Sequence, residues 1–354
     1  MTGRHIETFC APARHTSGAI YSHKLPKMVL WGAKDEFNID KIPDLSGKVV
    51  IITGGTAGLG LASAIELAHK GAHVIITART VARGEEAIEL IQQSLVKRNG
   101  QKLEGKVEFG IAENESLSSI KSFAEWFLKK NIPLNILMLN AGVAFVPFRL
   151  IEGVESTLFI NHVPHHLLTE LLLPKLKESA PARIVAVSSD AHKFVSALTL
   201  EPPSPESYSG MRSYGNSKLA NILFVRALQR RLKDDERIFV NAIHPGMVAT
   251  NIVEKTYAPA WLKSAVSYII PWLAQSPTHG ALTQLYAATS QEIEELGHRG
   301  QYFVPVARLQ ALADYAQDQA AEEQLWEWTE RTIERVLGAV SSSEASAPSK
   351  LSQP

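Results

Sequence analysis

Cysteine is nearly absent from this sequence: Cys10 is the single one in 354 residues. An internal disulfide is therefore excluded, and so is a zinc or iron–sulfur site built from cysteines. A reducing, cytoplasmic setting fits that usage. The chain also lacks a charge bias. Lys+Arg and Asp+Glu are 36 each, for a formal net charge of zero. That balance excludes the basic face of a nucleic-acid binder and the composition of an acidic disordered chain. Long apolar runs are missing too. The uncharged stretch 131–148 is interrupted by Pro133, Asn135, Asn140, Gly142 and Pro147, which suits a buried strand and loop rather than a transmembrane segment. The first residues carry no apolar signal-peptide core.

What the chain does have is a large apolar fraction, 45%, enough for a sizeable core. At about 150 residues per domain the length fits two domains or one large α/β domain. Residues 1–44 read as an N-terminal extension, with Arg4, Arg14, Lys24 and Lys27 against Glu7 in its first part. Disorder is the plain reading of residues 1–27, and a mitochondrial presequence the alternative. Residues 339–354, ending SSSEASAPSKLSQP, read as a disordered tail. Between them, β-branched runs at 48–53, 73–78, 107–111, 134–139, 183–188 and 238–243 alternate with helical patterns at 61–70, 83–98, 116–129, 153–176 and 214–232. Strands that are apolar on both faces and separated by helices predict an α/β fold: a doubly wound parallel sheet with helices on both faces, in one domain over 45–338.

Thr53-Gly54-Gly55-Thr56-Ala57-Gly58-Leu59-Gly60 lies between the first strand and the first helix. Glycines here let the backbone approach a pyrophosphate, and the helix start offers free N–H groups and a positive dipole end. In that context the turn predicts dinucleotide binding and a Rossmann-type sheet. Its spacing, T-G-x-x-x-G-x-G, resembles the cofactor motif of the short-chain dehydrogenase/reductase superfamily. The resemblance extends over about residues 45–305. It implies cofactor contacts from Thr53, Gly54, Thr56, Gly58, Leu59 and Gly60. The second strand ends in Ala78-Arg79-Thr80, with Arg83 one turn on and no acid at the strand end. Guanidinium groups match a 2′-phosphate, so Arg79 and Arg83 predict NADP(H) rather than NAD; two solvated surface charges are the alternative. Asn140-Ala141-Gly142 resembles the family's N-A-G motif, which buttresses the sheet and contacts the ribose. Glu113 stands where the family usually has an Asp near the adenine.

Tyr214-Gly215-Asn216-Ser217-Lys218 puts a tyrosine and a lysine at i, i+4 on one helix face. A nearby ammonium favours the phenolate and makes the phenol a usable acid or base. After the glycine turn and the strand order, this pair resembles the family's active site. The resemblance implies Tyr214 as proton donor or acceptor, Lys218 as ribose ligand and tuner of Tyr214, Ser189 as the catalytic serine and Ser188 as support. It also implies Asn161, in Asn161-His162-Val163-Pro164-His165-His166, as the holder of a relay water. Pro164 departs from the glycine common there. It cannot donate the helix bond to the Ile160 carbonyl, which frees an acceptor beside Asn161 and predicts a kink. The three histidines could also be read as metal ligands, but no acidic or cysteine partner is evident, so no metal is expected. In Pro245-Gly246-Met247-Val248-Ala249-Thr250, the family's P-G-x-x-x-T segment implies nicotinamide contacts from Val248 and Thr250.

Residues 190–213 form an insert longer than in compact family members; it resembles the retinol-dehydrogenase-like and WW-domain-oxidoreductase-like branch and is expected to wall the substrate cleft. Residues 251–280 fall where the family has a substrate lid. Between Thr256 and Ser290 the single charged residue is Lys263, so an apolar lid, plain core packing or a dimer face, and shallow membrane contact are the readings. Together these features predict an oxidoreductase that interconverts a hydrophobic ketone or aldehyde and its alcohol. The expected partners are that small molecule and, as the family is often dimeric or tetrameric although this branch includes monomers, a second copy of the chain as a homodimer. Specialised-metabolite biosynthesis and retinoid, lipid or steroid metabolism are the roles open to such an enzyme. A non-catalytic NADP-binding regulator is the alternative from another class.

Overall fold

A computed structural model describes residues 37–99, 106–246 and 276–346, with side chains described outside 98–99 and 340–346. Parallel strands β1 (Val49–Ile52), β2 (His73–Ala78), β3 (Val107–Ile111), β4 (Ile136–Leu139), β7 (Ala182–Val187) and β8 (Ile238–Ile243) coincide with the six apolar runs to within two residues at each end. Two further elements close the sheet beyond β8. Strand β9 (Tyr302–Val304) pairs parallel to β8, and β10 (Arg308–Leu309) pairs antiparallel to β9. The order is 3-2-1-4-7-8-9-10. It reverses direction between β1 and β4, which opens a crevice at their carboxyl ends, where ligands bind in doubly wound sheets.

Helices cover both faces. α1 (Gly58–His69), α2 (Val81–Asn99) and α6 (Pro277–Thr289) lie on one side, and α3 (Leu117–Lys129), α4 (Ser156–Glu178), α5 (Gly210–Arg231) and α8 (Gln319–Ser346) on the other. β1, β4, β7 and β8 are buried along their whole length, as expected when apolar side chains face helices above and below. Gly71 ends α1 with φ of 86°, the left-handed C′ conformation that favours glycine. α7 (Glu292–Glu295) is a single turn after α6.

Two helix starts differ from the sequence pattern. A short hairpin, β5 (Leu150–Ile151) with β6 (Val154–Glu155), precedes α4, and the Glu155 carboxylate caps the helix by accepting from the amides of Thr157 and Leu158. The helical periodicity at 153–155 therefore continues backward into a hairpin that two-residue strands do not announce. α5 begins at Gly210, four residues before Tyr214, because the Ser209 hydroxyl caps it by accepting from the Arg212 amide. At the other end of the chain, α8 runs to Ser346, so its last turns occupy part of the segment that composition assigns to the tail.

α8 is anchored on α5. The buried Glu322 carboxylate accepts from Arg226 Nε at 2.8 Å and also pairs with Arg230. Trp326 stacks with Phe224 and carries the Arg231 guanidinium over its ring at 4.0 Å. His162 and His166 pack against Phe224 beneath, and His165 on the same helix is buried as well. Burial pushes His162 and His165 down to about 3 and holds His166 well below its usual range.

These three rings stay neutral in the folded chain but bind protons once unfolded, so their contribution is present above about pH 6.5 and is lost as the pH falls toward their folded values. His162 and His165 are each expected to cost about 1.6 kcal/mol of stability on going from about pH 6.5 to about pH 5, and His166 acts in the same direction. Denaturant melts across that range should show the loss, and His166→Phe should shrink its slope by about one proton's worth. An unchanged slope in that variant would contradict the assignment.

Candidate active site

The glycine turn links β1 to α1 at the crevice. Gly54 and Gly58 have φ of 65° and 55°. A Cβ on Gly60 would stand 2.4 Å from the Gly54 carbonyl oxygen, so only glycine lets the turn fold back on itself there. Ala57, at the N-cap of α1, makes no side-chain cap. The first amides of the helix thus lie without a side-chain acceptor at the carboxyl end of a parallel strand, which is the chemistry a pyrophosphate requires. Thr56 and Leu59 lie half-buried in the same turn. Thr53 plays a different part. Its hydroxyl accepts from the amides of Asn140 at 2.9 Å and Ala141 at 3.0 Å. The Asn140 side chain donates back to the Thr53 carbonyl at 2.9 Å. These bonds tie the end of β4 to the end of β1.

Arg79 and Arg83 are exposed where β2 leads into α2. Glu113 is exposed after β3. Val248 and Thr250 lie outside the described residues, as does the lid segment through residue 275.

Ser189 follows β7, and its hydroxyl accepts from the Ala191 amide at 3.1 Å. Ser189 also faces the Tyr214 phenol. Ser188 turns the other way and donates to the Lys218 carbonyl at 2.7 Å. Lys218 is buried. Its Nζ lies 5.5 Å from the centre of the Tyr214 ring and donates to the Val187 carbonyl at 2.9 Å. Burial lowers its pKa to about 8. Tyr214 moves the other way: burial raises its pKa and the Ser189 hydroxyl opposes the rise. The Lys218 ammonium thus stands beside the phenol ring while it donates to a strand carbonyl.

Asn161 completes the group. Its Oδ1 accepts from the Val143 amide at 2.7 Å, and its Nδ2 donates to the Val143 carbonyl and to Ser217 Oγ, each at 2.9 Å. A Cβ on Gly142 would lie 3.0 Å from Asn161 Oδ1 and 3.6 Å from Lys218 Nζ, so Gly142 is the gap through which these two groups face each other. The structure therefore brings Asn161, Ser189, Tyr214 and Lys218 to one end of the sheet. Two neighbours were missed in the sequence. Phe145 lies with its ring 5.3 Å from that of Tyr214; no spacing rule singles it out. His165 lies behind Asn161 with Nε2 2.9 Å from Thr53 Oγ1, and only the proline beside it hinted at an unusual helix. Among the described residues, no cluster of His, Cys, Asp or Glu could hold a metal ion.

A doubly wound sheet, an uncapped glycine turn and a Ser-Tyr-Lys group at the carboxyl ends together define a dinucleotide-dependent oxidoreductase. Comparison with known proteins makes the class specific. The chain belongs to the short chain dehydrogenase family, whose model matches residues 48–260, and that family uses a nicotinamide cofactor, NAD or NADP. It is 37% identical over 304 residues to the WW domain-containing oxidoreductase of Gallus gallus, spanning 83% of this chain and 70% of that protein. It is also 37% identical over 290 residues to retinol dehydrogenase 14 of Mus musculus, spanning 81% and 86% of the two chains. Among solved structures, an uncharacterized protein from Mycobacterium Paratuberculosis superposes with a TM-score of 0.60 at 28% identity, over 84% of this chain and 98% of that one. No helix among the described residues is long and apolar enough to cross a membrane.

Proposed function

We propose that the protein is an NADP(H)-dependent reductase for a hydrophobic ketone or aldehyde, able to run in reverse on the alcohol. The observation that carries this reading is the convergence of Ser189, Tyr214, Lys218 and Asn161 beside the uncapped start of α1. The nicotinamide, when bound, supplies or accepts the hydride. Ser189 polarises the substrate oxygen, Tyr214 gives it a proton, and Lys218 holds positive charge below that proton path. A phenol kept protonated by burial is poised to donate, which favours reduction in the neutral range. Arg79 and Arg83 support the 2′-phosphate preference by their place at the end of β2.

The substrate class rests on the cleft wall. Phe145 lies against Tyr214, and Phe148 lies 5.4 Å from Tyr208 of the insert. Phe194 and Met211, at the two ends of the insert, are exposed. Such a wall suits an apolar or aromatic carbonyl better than a sugar or an acid. The test is a panel of aromatic, retinoid, steroid and short aliphatic carbonyls assayed with NADPH and NADH. Turnover confined to apolar members with NADPH supports the reading. Turnover of polar members alone, or with NADH alone, overturns it.

The ionisations set a pH dependence. Because the Lys218 charge is lost near about 8, kcat/KM for reduction is expected to be level below that value and to decline above it. A profile that rises through the same range would contradict the role given to Lys218.

A further inference from the structure

Pro164 sits inside α4, which runs unbroken from Ser156 to Glu178. Lacking an amide hydrogen, it leaves the Ile160 carbonyl without its helical donor. Ile160 is buried, and a buried carbonyl without a partner is costly. The missing bond is supplied from another element. Asn114, in the turn between β3 and α3, donates from Nδ2 to the Ile160 carbonyl at 3.2 Å. The same nitrogen stands 3.4 Å from His165 Nε2.

We propose that Asn114 is a positioning residue for the proton path: its side-chain amide replaces the backbone donor that Pro164 lacks and so holds the helical turn that carries Asn161. The proposal rests on the reading of Asn161, Tyr214 and Lys218 given above.

The surrounding bonds show why this turn matters. His165 Nδ1 faces the Asn161 carbonyl at 3.2 Å. A carbonyl only accepts, so Nδ1 carries the hydrogen and Nε2 is the acceptor, receiving from Thr53 Oγ1 and from Asn114. Asn161 in turn grips Val143 and Ser217, and Ser217 Oγ donates to the Tyr214 carbonyl at 2.8 Å. A displacement at Ile160 is therefore passed to Asn161, to the loop after β4 and to the start of the Tyr214–Lys218 helix turn. Removing the Asn114 amide leaves Ile160 without a donor, and the helix can satisfy that carbonyl only by moving.

The pairing has a direct test, because alanine at 164 restores the backbone donor and makes Asn114 dispensable. In a carbonyl-reduction assay, Asn114→Leu is expected to lower kcat about tenfold, with both KM values and NADPH affinity within about twofold of wild type. Pro164→Ala alone should stay within about twofold of wild-type kcat, and in its background Asn114→Leu should no longer lower kcat. Equal losses in both backgrounds, no loss in either, or a rise in NADPH KM without a change in kcat would overturn the proposal. If Asn114→Leu alone does not fold, the double variant decides: near wild-type turnover supports the pairing and failure to fold overturns it. If wild type reduces no carbonyl of the panel, the proposed function fails separately. The pairing is then read from amide hydrogen exchange of the peptide 157–169. Faster exchange in Asn114→Leu that returns to wild type in the double variant supports it, and identical exchange in all forms overturns it.

Discussion

Replacing Tyr214 by phenylalanine is expected to lower kcat by at least ~10²-fold while NADPH still binds. The substitution removes one oxygen and keeps the ring, so the packing of Phe145 against it survives. What is lost is the proton that burial keeps on the phenol and the hydroxyl that Ser189 faces. Steady-state kinetics on the best carbonyl of the panel, together with quenching of NADPH fluorescence, separates the two effects. Turnover close to wild type would refute the role of Tyr214, and loss of NADPH binding would show that its hydroxyl does something other than proton transfer.

The second large effect is expected at the end of β2. Arg79→Asp should weaken NADPH by at least about tenfold relative to NADH, the scale of one hydrogen bond to a charged group. Arg79 is exposed and Glu115, its acidic neighbour, is engaged by Arg149 at 2.6 Å. An aspartate at position 79 would repel a 2′-phosphate and accept from a 2′-hydroxyl. Titration of the variant with each cofactor checks this. Equal weakening of both would leave the phosphate argument without support.

The parallel sheet was legible because its strands are buried on both faces: runs such as HVIITA and IFVNAI have no polar alternation and sit between helical patterns. Strand β9 was not legible. Three residues, Tyr302–Val304, carry no period, and they become a strand through pairing with β8, a contact between distant parts of the chain. The hairpin before α4 escaped because its two-residue strands are too short to carry a period. Within the site, the Tyr214–Lys218 pair could be read from helix spacing, because i and i+4 share a face on any helix. The direction of the Lys218 ammonium could not, since it depends on the Val187 carbonyl in a neighbouring strand. Pro164 announced a missing donor. That Asn114 fills the place required knowing that the β3–α3 turn packs against the middle of α4.

The most direct test is a crystal structure of the protein with NADP and a carbonyl or alcohol ligand. The account predicts the Tyr214 hydroxyl and the Ser189 hydroxyl both within hydrogen-bond reach of the ligand oxygen, about 2.6–3.2 Å, with the reacting carbon over the nicotinamide ring. A complex in which the phenol faces away from the ring, or in which the dinucleotide lies outside the crevice between β1 and β4, would contradict it.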